Sequence, residues 1–337
     1  MYAALLIALA SALVPGAANA ADGIVPLVHS VVAEFLTGSI GSTQSLVSTL
    51  NRAAPILLCA LAVLIPFRAG MFNLGGEGQL VSGALVAAWV GMQPELISSF
   101  SLPLVLLLGF IAGATAGALA GELRVRFGVN ELISTLLLNY VCIFAASYAV
   151  NYPLRATSGD AATNPISTAA TMLPFVGMNG LHAGIAIALI AYFSVAAVLH
   201  RTVLGYEAKI VAANQHLALS KGVSVNRLRR ASMACGGGLA GLAGAIEVCA
   251  THGRYFDGIA PGLGFDGVTA AVLGACQPLA SWVAALFLAA LKNGALSLDL
   301  YANIPREAAT VLQGLLVLLF ASRLLGDRRP RLRVFID

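Results

Sequence analysis

The residues best suited to bind a polar solute lie in short segments beside long apolar stretches. Asn73, Glu77 and Gln79 fall where three glycines within four residues interrupt two apolar runs. Irregular backbone at membrane depth is tolerated only where protein or a water-filled cavity covers it. The segment is therefore interpreted either as an ordinary turn between two helices or as a broken helix whose amides and carboxylate line a solute path.

A second segment carries a polar residue at every fourth position. Glu131, Thr135 and Asn139 share one face of a predicted helix, and Ser134 flanks that face. Because polar side chains are unfavourable against lipid, this face is expected to point into the bundle or into a cavity. Hydrogen bonding between helices is the alternative for Ser134 and Thr135. Asn139 and Tyr140 are the better candidates for a solute path.

The segment Arg201–Arg230 is compatible with water and contains six Lys and Arg residues between two apolar stretches. Within it, Ala208–Ser220 has neither Pro nor Gly, and this pattern predicts a short helix that ends at Gly222. A connection between two helices needs fewer ordered residues than this. The loop is therefore expected to contact a soluble partner. The alternative is that it only connects two spans and is surrounded by solvent.

Two later segments are rich in small residues. Gly237 and Gly241 have the spacing that lets two helices pack closely. The segment Gly262–Cys276 also permits close backbone approach, and it places the acid Asp266 near a membrane entrance.

The composition predicts a membrane protein. Of 337 residues, 59% are hydrophobic and 10% are charged, and the mean hydropathy is +0.88. No water-soluble domain has this composition. We therefore expect an all-α fold: a single polytopic transmembrane domain over residues 1–337, with about ten transmembrane helices, one of them short enough to be re-entrant. The predicted spans are 1–19, 53–69, 77–94, 101–120, 130–152, 181–200, 231–251, 264–277, 280–297 and 307–323.

The distribution of basic residues predicts the orientation. With the N-terminus in the cytoplasm, every Lys and Arg lies on the cytoplasmic side except Arg52, Arg155, Arg254, Lys292 and Arg306. This asymmetry favours two cytoplasmic termini and an even number of spans. Residues 1–20 end in Ala-Asn-Ala, which resembles a signal cleavage site, but they lack a positive n-region and are expected to remain as the first helix. Anionic membrane lipid accounts for the net charge of +4 without nucleic acid.

The sequence offers no recognisable catalytic or metal-binding pattern. The five cysteines form no CxxC pair, and the five histidines are scattered along the chain. Neither a catalytic residue nor a metal or other cofactor is expected, and the chain is not expected to be an enzyme. It also lacks a GxxxxGK[ST] phosphate loop, so any ATP hydrolysis must occur on another subunit.

These segments, in this order, resemble the permease subunits of bacterial ABC importers of the branched-chain amino acid and simple-sugar permease superfamily, most closely the nucleoside-type branch. The resemblance covers roughly residues 50–325. The segments 67–79 and 130–140 follow the family's motifs nearly residue for residue, and 264–267, 270–274 and 311–314 are similar too.

The resemblance implies that the 201–230 loop forms the coupling helix that sits on an ATPase subunit. Val211, Asn214, Ala218 and Gly222 match the family's loop, and Lys209 keeps the charge of the family's arginine. The implied ATPase-coupling residues are Lys209, Asn214, Ala218 and Gly222. Ala212 replaces the family's first glycine, while Ile210 and Leu217 each replace an alanine. These departures change the fine contacts with the ATPase but not the placement of the loop.

The resemblance also implies a function and a set of partners. The expected function is uptake of a nucleoside or a similar sugar-bearing solute across the bacterial inner (plasma) membrane. The expected partners are nucleotide-binding ATPase subunits, a second permease subunit that is either identical or paralogous, and a periplasmic or lipoprotein solute-binding protein. The hypothesis for the path is that polar groups face a shared cavity and that Phe72 or Phe265 stacks on a flat base. The substrate-pathway residues are thus Phe72, Asn73, Glu77, Gln79, Asn139 and Phe265.

Several alternatives remain open on the sequence. Relatives also carry simple sugars or branched-chain amino acids. An ion-coupled secondary transporter would explain a broken helix but has no use for a patterned cytoplasmic helix. An intramembrane enzyme would need facing catalytic groups, and the sequence shows none.

Overall fold

The computed structural model describes residues 33–93, 101–175, 180–259 and 261–301, together with positions 311 and 314. These residues are mostly helical, and the two β-bridges among them, Ala162 with Phe256 and Pro174 with His182, are isolated. A π-helical turn, Thr37–Gly41, precedes the first long helix. The α-helices are α1 (Thr43–Arg68), α2 (Gly76–Gly91), α3 (Ser101–Phe127), α4 (Glu131–Asn151), α5 (Gly184–Arg201), α6 (Val203–Ala213), α7 (Gln215–Ser220), α8 (Val225–Ile246), α9 (Leu263–Leu273) and α10 (Pro278–Tyr301).

Six of the described helices are long and apolar enough to cross a membrane. They are α1, α3, α4, α5, α8 with its π-helical continuation to His252, and α10. They coincide with six of the predicted spans. The predicted spans 77–94 and 264–277 correspond to the shorter helices α2 and α9, and the spans 1–19 and 307–323 lie outside the described residues. The all-helical, multi-pass class is confirmed, while the count of about ten stays a prediction.

The chain divides into two compact units, Met1–Leu50 with Phe287–Asp337, and Asn51–Leu286. In the first unit, buried polar side chains tie the π-helical turn and the N-terminal part of α1 to the middle of α10. Ser39 Oγ donates to the backbone oxygen of Ala290 at 2.8 Å, and Asn293 Nδ2 donates to Thr49 Oγ1 at 2.9 Å. Such bonds hold two apolar helices together where lipid removes the hydrophobic drive for association.

The second unit is built around α2, α3 and α8, whose backbones approach each other through glycines. A Cβ placed on Gly113 of α3 would lie 2.6 Å from the Cα of Gly241 in α8, and one placed on Gly237 would lie 2.9 Å from the Cα of Gly117. Gly83 of α2 meets the same stretch of α8. The close packing predicted from the Gly237 and Gly241 spacing is therefore present, and its partner on α3 is a row of glycines four residues apart.

The 201–230 loop differs from the single helix predicted over Ala208–Ser220. It contains two helices, α6 and α7, which are separated at Asn214. Asn214 has extended backbone angles, and its Oδ1 accepts a hydrogen bond from the N–H of Leu217 at 3.1 Å. Asparagine is a strong N-cap residue, so it starts a new helix and interrupts the preceding one. The predicted end at Gly222 is confirmed, since this residue takes a φ of +77° just after α7.

Candidate functional site

The chain between α1 and α2 turns back alongside α1 and is fixed there by a pair of side-chain amides. Asn73 Nδ2 donates to the backbone oxygen of Ala62 at 3.2 Å. Ala62 lies about 9 Å along the axis from Arg68, the end of α1, at 1.5 Å per residue. Asn73 and Gln79 also exchange hydrogen bonds at 2.9 and 3.1 Å. The bend over 69–75 therefore returns into the helical layer, as a broken helix requires.

The polar face of α4 packs against this bend. Asn139 Oδ1 accepts a hydrogen bond from the N–H of Gly78 at 2.8 Å, and its Nδ2 donates to the oxygen of Leu74 at 2.8 Å. Thr135 Oγ1 accepts from the N–H of Leu74 at 3.3 Å. A Cβ on Gly78 would lie 2.7 Å from the Cα of Asn139, so α2 and α4 approach this closely only because Gly78 has no side chain.

Glu77 joins the start of α2 to the start of α9. Its two carboxylate oxygens accept hydrogen bonds from the N–H groups of Gly262 and Gly264, each at 2.7 Å. The first N–H groups of a helix lack intrahelical partners, and the helix dipole favours a negative charge beside them. A buried carboxylate at this point is therefore stabilised by both bonds and dipole.

The other end of α9 is held by a cation. Arg68, the last residue of α1, donates from Nε and Nη2 to the backbone oxygen of Cys276 at 3.1 and 2.9 Å. Cys276 follows α9 and has a φ of +49°. An acid at the N-terminus and a base beyond the C-terminus complement the dipole of this 11-residue helix.

The structure brings the four predicted polar residues of the path into one place. Asn73, Glu77, Gln79 and Asn139 are all buried. Asn73 and Gln79 bond each other, and further hydrogen bonds of these residues run to backbone groups of α1, the bend, α2 and α9. The two aromatic candidates are more exposed than these four polar residues. Phe72 is half-buried with its ring edge-on to Phe67, 6.0 Å between centroids, and Phe265 is exposed in the first turn of α9.

The predicted coupling residues lie in the 201–230 loop but do not share one environment. Lys209, Asn214 and Gly222 are exposed, whereas Ala218 is fully buried in a small cluster with Val211 and Val225. Ala218 therefore packs the loop together and does not face outward.

The outer surface of the loop carries apolar side chains that the sequence reading did not single out. Leu217 and Leu219 on α7 are 48% and 53% exposed. On α6 the exposed apolar residues are Val203, Leu204 and Tyr206. Buried Ala218 lies between the exposed Leu217 and Leu219. This pattern could have been predicted if α7 had been treated as a separate helix, but the sequence predicted one continuous helix.

This loop touches the bend between α1 and α2. A Cβ on Gly70 would lie 3.5 Å from the Cα of Ala212 and 3.8 Å from the oxygen of Val211, at the end of α6. Gly70 has a φ of +72°, a conformation that favours glycine. The loop is therefore in direct contact with the segment that holds Asn73.

No group of three or more His, Cys, Asp or Glu within the described ranges could hold a metal ion. The five cysteines are all free thiols. Glu247, in the π-helical turn that extends α8, lies 3.4 Å from His252 Nε2.

The model of a family described as branched-chain amino acid transport system / permease component matches residues 45–321. The glucose ABC transporter permease protein TsgB13 of Haloferax volcanii is 33% identical, over 85% of this chain and 77% of its own length. The guanosine ABC transporter permease protein NupP of Bacillus subtilis is 32% identical, over 88% and 86%. The nucleoside ABC transporter permease protein NupB of Lactococcus lactis is 28% identical, over 78% and 75%. No solved structure matches significantly.

Proposed function

Because this chain belongs to the permease-component family of branched-chain amino acid transport systems, we propose that it is the transmembrane subunit of an ABC importer for a nucleoside or a similar sugar-bearing solute. A separate ATPase subunit hydrolyses ATP, and a solute-binding protein delivers the cargo. A second permease, identical or paralogous, completes the path. The chain lies in the bacterial inner membrane as one transmembrane domain.

The observation that carries this proposal is the match over residues 45–321. Among the relatives, one is named for guanosine, one for nucleosides and one for glucose. A ribose or hexose ring is common to these cargoes, which is why the proposed solute carries a sugar. The glucose relative keeps a simple sugar as the second candidate.

The proposed solute path runs past the bend between α1 and α2. Its six residues are those that the sequence predicted: Phe72, Asn73, Glu77, Gln79, Asn139 and Phe265. The four polar ones fix the short helices α2 and α9, about 24 and 17 Å long at 1.5 Å per residue. Helices this short begin or end inside a bilayer about 30 Å thick, and the free ends of such broken helices are where transporters bind their cargo.

The proposed orientation places the 201–230 loop in the cytoplasm with both termini. Charged residues collect at the same end of the second unit as this loop. Arg124 lies 3.2 Å from Glu131, and Arg230 lies 3.2 Å from Glu122. The excess of Lys and Arg at this end supports a cytoplasmic assignment.

The exposed leucines of α7 form the proposed contact with the ATPase. Replacing Leu217 or Leu219 with aspartate should lower co-purification of the ATPase about tenfold or more, because burying one leucine stabilises a complex by roughly 1.5–3 kcal/mol. The permease itself should keep its thermal midpoint, since both side chains point into solvent. The measurement is a pull-down of the ATPase by tagged permease.

The matched control is Val129→Asp, an exposed apolar residue in the short α3–α4 turn at the same end of the helices. This variant should bind the ATPase normally. Ala218→Glu should act differently, by disrupting the packing of the loop and thereby uncoupling the ATPase. Undiminished ATPase binding by all the α7 variants would show that the loop is not the coupling element.

Asn139 supplies a test of the path. Asn139→Leu should lower uptake roughly tenfold or more, because it leaves the Gly78 N–H and the Leu74 oxygen without partners and each such loss costs about 1–3 kcal/mol. ATPase docking should stay intact. Ser134→Ala is the matched control, since among the described residues Ser134 Oγ donates only within α4, to the backbone oxygen of Glu131 at 3.3 Å.

Uptake and thermal midpoint are measured together for both Asn139→Leu and Ser134→Ala. Normal transport by Asn139→Leu would mean that Asn139 only braces α2 against α4 and that the path lies elsewhere. A panel of labelled nucleosides, sugars and amino acids, taken up by the complete complex, identifies the solute class. Uptake of leucine or valine alone would overturn the sugar-bearing assignment.

A further inference from the structure

The end of α1 connects the 201–230 loop to α9. Arg68, the last residue of α1, donates from Nε and Nη2 to the backbone oxygen of Cys276, which follows α9. Two residues later, Gly70 lies against the C-terminal end of α6, where an added Cβ would be 3.5 Å from the Cα of Ala212. An arginine in the last turn of a helix commonly bonds the carbonyl groups of its own helix, but these bonds go to a residue 208 positions away. Arg68 therefore joins elements that are far apart in the sequence.

The turn between these two contacts is short and internally bonded. The N–H groups of Ala69 and Met71 both donate to the backbone oxygen of Pro66, at 2.9 and 3.0 Å. Coupling between distant sites is carried by packed contacts, hydrogen bonds and rigid elements of this kind. A displacement of α6 against Gly70 is therefore expected to move Arg68 as well.

The position of α9 depends on the groups that hold its two ends. This short helix is only partly covered by protein, since Phe265 and Val272 are 46% and 56% exposed while Gly267 packs against α1. Glu77 binds its first N–H groups, and Arg68 binds the residue beyond its other end. Elements with few buried contacts move at low cost, so these charged contacts decide where α9 lies.

The junction between α9 and α10 has a strained backbone. Ala275 and Cys276 both have a φ of +49°, in the left-handed region that residues with a side chain rarely adopt. Such conformations persist only where the surroundings fix them, and they are concentrated at functional and switching segments. The two bonds from Arg68 are part of those surroundings. Without them, the junction is free to relax and α9 loses its connection to the end of α1.

We propose that Arg68 is a positioning residue that transmits motion of the 201–230 loop to α9, whose first turn lies beside Glu77 and carries Phe265 of the proposed solute path. This inference rests on the proposed function and deepens it, because it names the contact through which the ATPase acts on the path. The loop moves with the ATPase subunit, and the turn over residues 66–71 moves with the loop. The guanidinium group carries this movement to the far end of α9.

The test measures uptake and ATP hydrolysis together, in proteoliposomes that contain the complete complex with saturating loaded solute-binding protein. The probes are labelled guanosine and labelled glucose. Arg68→Met removes the donors but keeps a long side chain, and it should lower the number of solute molecules imported per ATP hydrolysed about fivefold or more, the low end of ordinary coupling between two sites. Recovery of the ATPase and ATP hydrolysis should match those of the unmodified complex.

Two further variants calibrate this ratio of uptake to hydrolysis. Arg68→Lys retains a charged donor and should restore part of the ratio. The matched control is Arg126→Met, which removes a mostly exposed arginine that pairs with Glu122 in its own helix. This control should leave the ratio unchanged, because Arg126 is bonded to neither the 201–230 loop nor α9 among the described residues.

A thiol on α9 reports the movement itself. Val272→Cys is introduced as the single cysteine of the permease, on the exposed side of α9. Its rate of labelling by maleimide should differ between the complex without nucleotide and the complex with a non-hydrolysable ATP analogue. Arg68→Met should abolish this difference, whereas a residue that only stabilises the fold would not affect it.

The outcomes separate this inference from the proposed function. A normal ratio or an undiminished labelling difference in Arg68→Met would overturn the role of Arg68 while the proposed function stood. Equal falls in uptake and in ATP hydrolysis would show that Arg68 only stabilises the complex, and would also overturn it. Should Arg68→Met fail to assemble, Arg68→Gln replaces it with the same expected and contradicting results. If uptake by the unmodified complex does not require ATP, the proposed function fails first and this inference fails with it.

Discussion

Replacing Glu77 with alanine should release α9 from α2 and destabilise the protein strongly. The carboxylate accepts the N–H groups of Gly262 and Gly264 at 2.7 Å each, and a hydrogen bond to a charged group contributes about 1.5–3 kcal/mol. Losing both removes the carboxylate partner of two N–H groups at a helix terminus, the buried one of Gly264 and the partly buried one of Gly262. The expected loss of stability is therefore roughly 3–6 kcal/mol, which is a large fraction of the free energy of unfolding of most domains.

Cys59 reports this release directly. The middle of α9 packs on α1 at Gly267, close to Cys59, which is fully buried. In a variant that retains Cys59 as its single thiol, a maleimide should label Cys59 slowly when Glu77 is present and rapidly in Glu77→Ala. Glu77→Gln keeps one oxygen acceptor and should fall between the two.

The control for Glu77 is Glu122, a partly exposed acid that pairs with Arg126 and Arg230 at the protein surface. Surface ion pairs contribute about 0–1 kcal/mol, so Glu122→Ala should leave both the thermal midpoint and Cys59 labelling nearly unchanged. Slow labelling of Cys59 in Glu77→Ala would show that other contacts, and not the carboxylate, hold α9.

A second large effect is expected at the glycine contact between α3 and α8. A Cβ on Gly113 would lie 2.6 Å from the Cα and 2.7 Å from the backbone nitrogen of Gly241. Backbone cannot move aside as a flexible side chain does, so the two helices must separate. Gly113→Ala should cost about 1–3 kcal/mol, the usual penalty of overpacking, and Gly113→Leu should abolish recovery of monodisperse protein in detergent.

The control introduces the same side chain on the other face of α3. Thr115 is exposed, and its Oγ1 donates to Ala112 within the same helix at 2.7 Å. Thr115→Leu should therefore purify like the unmodified protein, as judged by size-exclusion chromatography. A well-behaved Gly113→Leu would mean that α3 and α8 do not depend on close backbone contact.

The all-helical class and most helix positions could be predicted from the long apolar segments. A segment that crosses lipid must satisfy its backbone hydrogen bonds internally, and an apolar helix does this. The close packing at Gly237 and Gly241 was predictable for the same reason, since small residues at fixed spacing have few other uses in a membrane helix. Their partners on α3 were not identified, because a spacing in one helix does not say which helix it meets.

The residues proposed for the solute path stay a prediction, but the structure shows how four of them are arranged. The motifs singled out Asn73, Glu77, Gln79 and Asn139, and the structure gathers them at one bend. Their hydrogen-bond partners are largely backbone groups, such as the N–H groups of Gly262 and Gly264. A pattern of side chains in the sequence cannot identify backbone partners. The broken loop helix was mispredicted because Asn214 is compatible with a helix interior as well as with an N-cap, and its local hydrogen bond to Leu217 decided between them.

Transport through this permease is proposed to depend on a separate ATPase, and uptake into proteoliposomes tests this dependence most directly. The purified complex is reconstituted with ATP on the side of the 201–230 loop and loaded solute-binding protein on the other side. We predict uptake of labelled nucleoside that requires both ATP and the ATPase subunit and that continues when ionophores collapse all ion gradients. Uptake by the permease alone, driven by an ion gradient and indifferent to ATP, would contradict the assignment and identify a secondary transporter.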